Sequence, residues 1–308
     1  MNNRSDHRLG ERLDHYLVRT GAAKSRRRAR ELADTGQVSV NGRRSVKGAI
    51  IHDHDVVEVA DDITSDAIVP TSELELEVLF EDPQLLVVNK PGGVPCHPLK
   101  GTETNTIMNA IVARYPESAT AGVKPLEGGL VHRLDNGTSG ALLVARNRVA
   151  FDELRDLVAA GRIERTYRAL VSGALKNVLE LTSPIAHHPK NYRRMLVARN
   201  APTASRLKAR RALTRVEPFK RFAEFTLVDV RPQTGTRHQI RAHLAAAGYP
   251  IAGDTLYGGS RLHSLNAARF FLHLGHIRLE TRASGRLDIM ASLGTDLNAA
   301  LAEVGEMV

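Results

Sequence analysis

Cysteine is nearly absent from this 308-residue chain: Cys96 stands alone, which excludes a disulfide framework and any cysteine-rich zinc or iron–sulfur site. No run approaches 18 uncharged apolar residues, so no membrane span and no membrane partner are expected. The opening MNNRSDHRLGERLD lacks the apolar core of a secretory signal, and a cytoplasmic location is the expectation. Neither GxxxxGKS nor GxxxxGKT occurs, which argues against a Walker-type nucleotide site. There is no HExxH, and His238 and His243 are five apart and do not line up on one helix face, so no metal is expected.

What is present fits a folded chain of about two domains: 42% apolar and 25% charged residues. The formal charge is +9, carried by 34 Arg and only 9 Lys. Arg offers a planar fork of donors suited to phosphates and base edges, so the bias fits a nucleic-acid partner. Codon usage in a GC-rich genome would produce it too. The distribution says more than the total. Residues 4–48 carry a net +7, residues 61–88 a net −8 with no base at all, and residues 141–221 a net +12. The acidic stretch opens DDITSDAIVPTSELE and reads as a linker over 61–73, between a small domain at 8–60 and a larger one at 74–305.

In the small domain Leu9, Leu13, Leu17 and Val18 follow helical spacing, and Gly21 suits the helix end. Ser25 is an N-cap for a second helix burying Ala29, Leu32 and Ala33 and ending at Gly36. Gln37 to Val40 alternates like a strand, Asn41-Gly42 is a two-residue hairpin turn, and Asp55 to Val59 closes the unit. Lys24, Arg26, Arg27, Arg28 and Arg30 crowd the start of the second helix. The module has too few carboxylates to pair them all, so they form either a solvated face or a phosphate footprint.

The larger domain reads as α+β with a largely antiparallel mixed sheet. Strands are expected at Leu85–Val88, Ala141–Ala145, Thr166–Val171, Phe222–Arg231 and Phe270–Leu279. Helices are expected at Thr104–Tyr115, Val149–Ala160 and His238–Ala247, too irregularly interleaved with the strands for a parallel α/β fold.

Two segments could carry chemistry. His132 to Gly140 is a polar, glycine-punctuated loop between two apolar runs, with Asp135 as its one carboxylate and His132 and Arg133 beside it. A carboxylate near a fixed cation stays ionised, as a nucleophile or base should be. Asp135 could equally cap the Asn136-Gly137 turn. Glycoside hydrolysis would need a second opposed carboxylate, and nothing marks Glu127 as an acid. In the second segment, Thr234 to His243, Arg237 and Arg241 share one face at a helix N-terminus, where an anion is well placed.

VHRLDNGTSGALLVARN at 131–147 resembles the signature of the RluA family of pseudouridine synthases, whose core is His-Arg-Leu-Asp-x-x-Thr-Ser-Gly. Val87 to Gly93 followed by Cys96-His97-Pro98 resembles its opening segment, and Glu164 to Gly173 its tyrosine strand. Pro184-Ile185 with His187-His188-Pro189, and TGTRHQIRAHLAAAGYPIAGDTLYGG at 234–259, resemble further landmarks in the family's order. Residues 10–60 resemble the alpha-L RNA-binding module that precedes the synthase domain in ribosomal RNA members. One departure stands out: the family pattern reads Thr-Gly-Arg-x-His-Gln-Ile-Arg, whereas Thr236 follows Gly235 here and Arg237 comes next.

The resemblance implies an isomerase that converts uridine in ribosomal RNA, large-subunit RNA above all, to pseudouridine, with no cofactor; a monomer is the default expectation. It implies Asp135, Tyr167 and Arg241 as catalytic residues: Asp135 acts at the ribose or the ring, Arg241 is its ion-pair partner, and Tyr167 stacks on the extruded base. RNA or substrate contacts would come from His132, Arg133, Arg237, His238 and Gln239, and from Lys24, Arg26, Arg27, Arg28, Arg30 and Asn41 of the basic module. Arg133 would enter the gap the base leaves. Two other readings compete: a non-catalytic RNA-binding factor on the same fold, and an unrelated hydrolase acting on free nucleosides or sugars.

Overall fold

The computed structural model describes residues 10–23, 25–46, 48–60 and 67–306, and the chain divides into two units, residues 1–65 and 66–308. In the first unit β1 (Glu11–Arg12) leads into α1 (Leu13–Arg19) and α2 (Arg26–Asp34), followed by β2 (Val38–Val40), β3 (Arg43–Arg44), β4 (Ile50–Ile51) and β5 (Val57–Val59). Leu13 and Leu17 of α1 pack on Ala29, Leu32 and Ala33 of α2, with Val38 and Ile51 beneath. The Ser25 hydroxyl accepts the Arg28 N–H at 3.2 Å and so caps α2. β2 and β3 form a hairpin turned by Asn41 (φ 52°) and Gly42 (φ 73°), left-handed positions that Asn and Gly tolerate; β5 pairs with the other edge of β2. The first helix starts at Leu13, later than the spacing suggests, because Glu11 and Arg12 are extended and pair with β4. Leu9 and Lys24 lie outside the described residues.

The second unit begins with β6 (Val78–Glu81), β7 (Leu85–Lys90), α3 (Ile107–Arg114), α4 (Ser118–Ala121), β8 (Ser139–Ala145), α5 (Arg148–Ala159) and β9 (Glu164–Ser172). It continues through β10 (Leu179–Leu181), β11 (Ile185–His187), β12 (Met195–Val197), α6 (Ala201–Arg206), β13 (Thr214–Arg221) and β14 (Phe225–Pro232). The chain then passes through α7 (Gln239–Ala246), β15 (Leu272–Thr281), β16 (Gly285–Met290) and α8 (Thr295–Glu306). Among the described residues nine strands form one sheet in the order β10-β13-β14-β9-β15-β8-β7-β6, with β16 on β15; β11 and β12 pair apart from it. Pairing is antiparallel except between β15 and β8, so the sheet is mixed and mostly antiparallel, as the sequence suggests.

The core gathers where the sequence is most apolar. Every residue of β8 is buried, and β7 buries Leu85 to Val88 against it. Thr106 and Asn109 close a reciprocal capping box on α3, and Asn147 caps α5 by accepting the Ala150 N–H at 3.0 Å. Gly140 sits at φ 115° where β8 meets β15, and a Cβ there would fall 2.3 Å from the Leu274 carbonyl oxygen. Only glycine fits this crossing, and the row it starts (Gly140, Leu274, Tyr167) runs from the His132–Gly140 loop to the tyrosine of β9.

Candidate active site

The loop before β8 presents Asp135, and α7 presents Arg241, whose Nη1 donates to Asp135 Oδ2 at 2.9 Å. The other edge of the same guanidinium is held by Asp254: Nε to Oδ2 at 2.7 Å and Nη2 to Oδ1 at 2.9 Å. Burial alone would lower the Arg241 pKa, but the Asp254 bridge and the Asp135 charge outweigh it and raise it. One buried cation thus orients two carboxylates, of which Asp254 is enclosed (1% exposed side chain) and Asp135 reaches solvent (26%). Among the described residues Asp135 Oδ1 has no hydrogen-bond partner, so half of the carboxylate is open to a substrate.

The ring of Phe270 lies 4.3 Å from Arg241 Cζ and that of Tyr257 5.1 Å, so aromatic faces close the guanidinium in. Tyr257 donates to or accepts from His238 Nδ1 at 3.1 Å and accepts the Met195 N–H at 2.7 Å. His238 Nε2 stands 3.8 Å from Asp135 Oδ2, which aligns Asp135, His238 and Tyr257 in a row. Burial lowers the His238 pKa to about 4 against the opposing pull of Asp135, so the ring is neutral at pH 7. Its backbone is left-handed (φ 51°), a conformation uncommon for non-glycine residues.

Tyr167 faces this side of the sheet. Burial pushes its phenol up, Asp135 pushes in the same direction, and Arg165 opposes both. A phenol so placed stays protonated. Cys96 braces the loop from below, its Sγ accepting the Leu134 N–H and donating to the Leu134 carbonyl, both at 3.3 Å. A separate cavity of about 910 Å³ takes Thr166 and Arg168 from β9 but not Tyr167 between them. Four of its arginines, Arg168, Arg215, Arg231 and Arg278, are bridged to Asp229, Glu217 and Asp288, whereas Arg165 Nε is buried with no hydrogen-bond partner among the described residues.

Arg133 and Arg237 are exposed beside the site, and Arg237 Nη1 reaches the Tyr192 carbonyl at 3.4 Å. Three residues expected to contact RNA hold internal hydrogen bonds. His132 Nε2 accepts the Leu143 N–H at 3.2 Å, and burial lowers its pKa to about 3, so the ring props the loop against β8. Gln239 uses all four positions of its carboxamide internally, accepting from Thr234 and Thr236 and donating to Leu213 and Thr214. Asn41 ties its amide to Asp55 and the Val56 N–H, fixing the hairpin of the first unit. Glu127 pairs with Lys124 at 2.9 Å.

In the first unit Arg26 and Arg27 are exposed, Arg27 and Arg28 approach Glu31, and Arg30 with Arg12 bridges the buried Asp14. Asp254 and Tyr257 stand within GDTLYGG, yet sequence reasoning gives them no role; a GD step before an aromatic, following a helix rich in arginine, is the available signal. The exposed Tyr192, at the turn of the β11–β12 hairpin among Lys190, Arg193 and Arg194, escapes sequence reasoning as well.

Both units of the chain resemble known families. A family model described as RNA pseudouridylate synthase matches residues 84–246, and the S4 domain matches residues 11–57. An RNA pseudouridine synthase of Chloroflexus aurantiacus is 34% identical over 300 residues, covering 96% of this chain and 90% of that protein. A ribosomal large subunit pseudouridine synthase D of Xylella fastidiosa is 35% identical over 257 residues, covering 83% and 73%. The solved human RNA pseudouridylate synthase domain containing 1 shares the fold, with a TM-score of 0.58 and 24% identity over 75% of this chain and 89% of that one.

Proposed function

The chain belongs to the RluA-type RNA pseudouridine synthases, isomerases that act on RNA, and from that premise we propose that it converts uridine in large-subunit ribosomal RNA to pseudouridine through Asp135 without a cofactor. The observation that carries the assignment of Asp135 is its half-open carboxylate, gripped on one oxygen by a buried arginine and free on the other. The names of relatives such as the Xylella fastidiosa protein support the large subunit as target.

In this reading the N1–C1′ bond of the target uridine breaks, the uracil turns within the pocket, a C5–C1′ bond forms, the C5 proton leaves, and N1 takes up a proton. Atoms are conserved, so no external oxidant or phosphoryl donor enters. Arg241 keeps Asp135 ionised and aimed at the sugar or the ring. Tyr167 stacks on the extruded base and places its hydroxyl near the proton to be lost. Arg133 fills the gap in the RNA, offsetting the few kcal/mol that extrusion costs. Arg237, and Arg26, Arg27 and Arg28 of the first unit, contact phosphates. The protein acts as a cytoplasmic monomer.

The test is a pseudouridine map of ribosomal RNA from cells with and without the protein. Loss of one or a few large-subunit sites, restored by the wild-type chain but not by Asp135→Asn, is expected. An identical map in both cells contradicts the proposal.

A further inference from the structure

Asp135 opens a turn in which each of the first three carbonyls is held. The Asp135 carbonyl accepts the Thr138 N–H at 2.9 Å; that of Asn136 accepts the Gly93 N–H at 2.7 Å and Lys90 Nζ at 3.3 Å; that of Gly137 accepts Arg269 Nη1. Two enclosed cations therefore hold adjacent carbonyls of the turn, Lys90 from β7 and Arg269 from the segment before β15. Lys90 spends its other donors on the Pro91 and Val94 carbonyls next to it. Arg269 reaches much further. Nη2 donates to Ser139 Oγ at 2.7 Å, and Nε donates to Asp296 Oδ2 at 2.6 Å. Ser139 Oγ also meets His273 Nδ1 at 2.8 Å, and His273 Nε2 meets the Ala291 carbonyl at 3.0 Å. Gly92 lies flat on the guanidinium, where a Cβ would fall 2.4 Å from Arg269 Nε.

Asp296, in the first turn of α8, is the one carboxylate bound to Arg269 among the described residues, and its side chain is 41% exposed while that of Arg269 is 2% exposed. A charge pair thus runs from the surface of the C-terminal helix to the backbone of the turn that carries Asp135. Residues 269 and 296 both lie beyond the 84–246 segment that the family model matches.

We propose that Arg269, anchored by Asp296, is a positioning residue for the isomerisation: it fixes Gly137 and Ser139 and, through them, the aim of Asp135. The proposal rests on the reading of Asp135 as the reactive carboxylate. Three directed donors on one rigid plane hold two points of the turn and one of α8, which a flexible ammonium cannot reproduce. Displacing a reacting group by about 1 Å can slow turnover about a hundredfold without touching the binding surface.

The experiment measures tritium release from C5-labelled uridine in ribosomal RNA, with full-length Asp296→Asn, Asp296→Glu, Arg269→Lys and Ser139→Ala, each below its own melting temperature. Asp296→Asn and Arg269→Lys are expected to lower kcat about tenfold or more while KM changes by less than about twofold. Asp296→Glu, which keeps the charge, is expected to recover most of kcat. A brace with no bearing on the chemistry would lower the melting temperature and leave kcat of the folded enzyme unchanged, and that result overturns the proposal. Should Arg269→Lys fail to fold, Asp296→Asn and Ser139→Ala decide by the same split. Asp135→Asn, run alongside, separates the two ideas. Retained turnover there overturns the reading of Asp135 itself. Abolished turnover there, with normal kcat in the other variants, overturns the positioning alone.

Discussion

Asp135, Tyr167 and Arg241 come together as what the resemblance implies; from the residues alone Asp135 stands out as the one carboxylate of a glycine-punctuated loop, and Arg241 shares its helix face with Arg237. The resemblance also implies the Arg241–Asp135 pair, closed across 106 positions, but not the Asp254 bridge 13 positions away, since spacing says nothing about contacts closed by the fold. His132, Gln239 and Asn41, each with internal hydrogen bonds, show a related point. A polar residue inside a functional motif can serve its loop rather than the ligand, and only hydrogen-bond partners tell these apart. The Arg241 cluster makes a sharp expectation. Removing Asp254 leaves a buried guanidinium with half its partners, so Asp254→Ala should destabilise the second unit by about 3–5 kcal/mol in urea unfolding. A loss below about 1 kcal/mol would mean that Arg241 is solvated and the clamp is unimportant.

At the scale of elements, long apolar runs are the easiest to place: β7, β8, β9 and α5 fall within a few residues of expectation because burial dictates their composition. The three-residue strands β10, β11 and β12 are too short to show a period. β13 (TRVEPFKR) hides behind its charges and a bulge between Pro218 and Lys220. α2 is legible down to its N-cap, and its exposed face carries the expectation proper to this scale. Arg26→Ala with Arg27→Ala should weaken ribosomal RNA binding and reduce the slope of log affinity against log salt by about 0.7–0.9 for each phosphate no longer neutralised. An unchanged slope would remove this face from the RNA interface. None of the helices among the described residues is long and apolar enough to cross a membrane.

For the whole molecule, the uneven charge of the sequence resolves into two units: a small one with a basic helix face, and a larger one whose arginines are in part committed to internal pairs. The buried histidines give the chain a common pH response. Burial lowers the pKa from 6.5 to about 3 at His132 and about 4 at His238, so between these values and 6.5 the unfolded chain binds protons that the folded one does not. Their contribution to stability is full above pH 6.5 and is lost as pH falls toward 4. The melting temperature should therefore be flat from pH 7 to 8 and drop between about 6.5 and 4, and a flat profile through that window would contradict the burial of these rings.

The account turns on one carboxylate, and one measurement reaches it directly: tritium release from C5-labelled uridine in ribosomal RNA by the wild-type chain and by Asp135→Asn, with RNA binding measured on the same samples. Release by the wild type, none above background by Asp135→Asn, and equal binding by both is the expected result. Substantial release by Asp135→Asn, or none by the wild type on RNA that it binds, would contradict it.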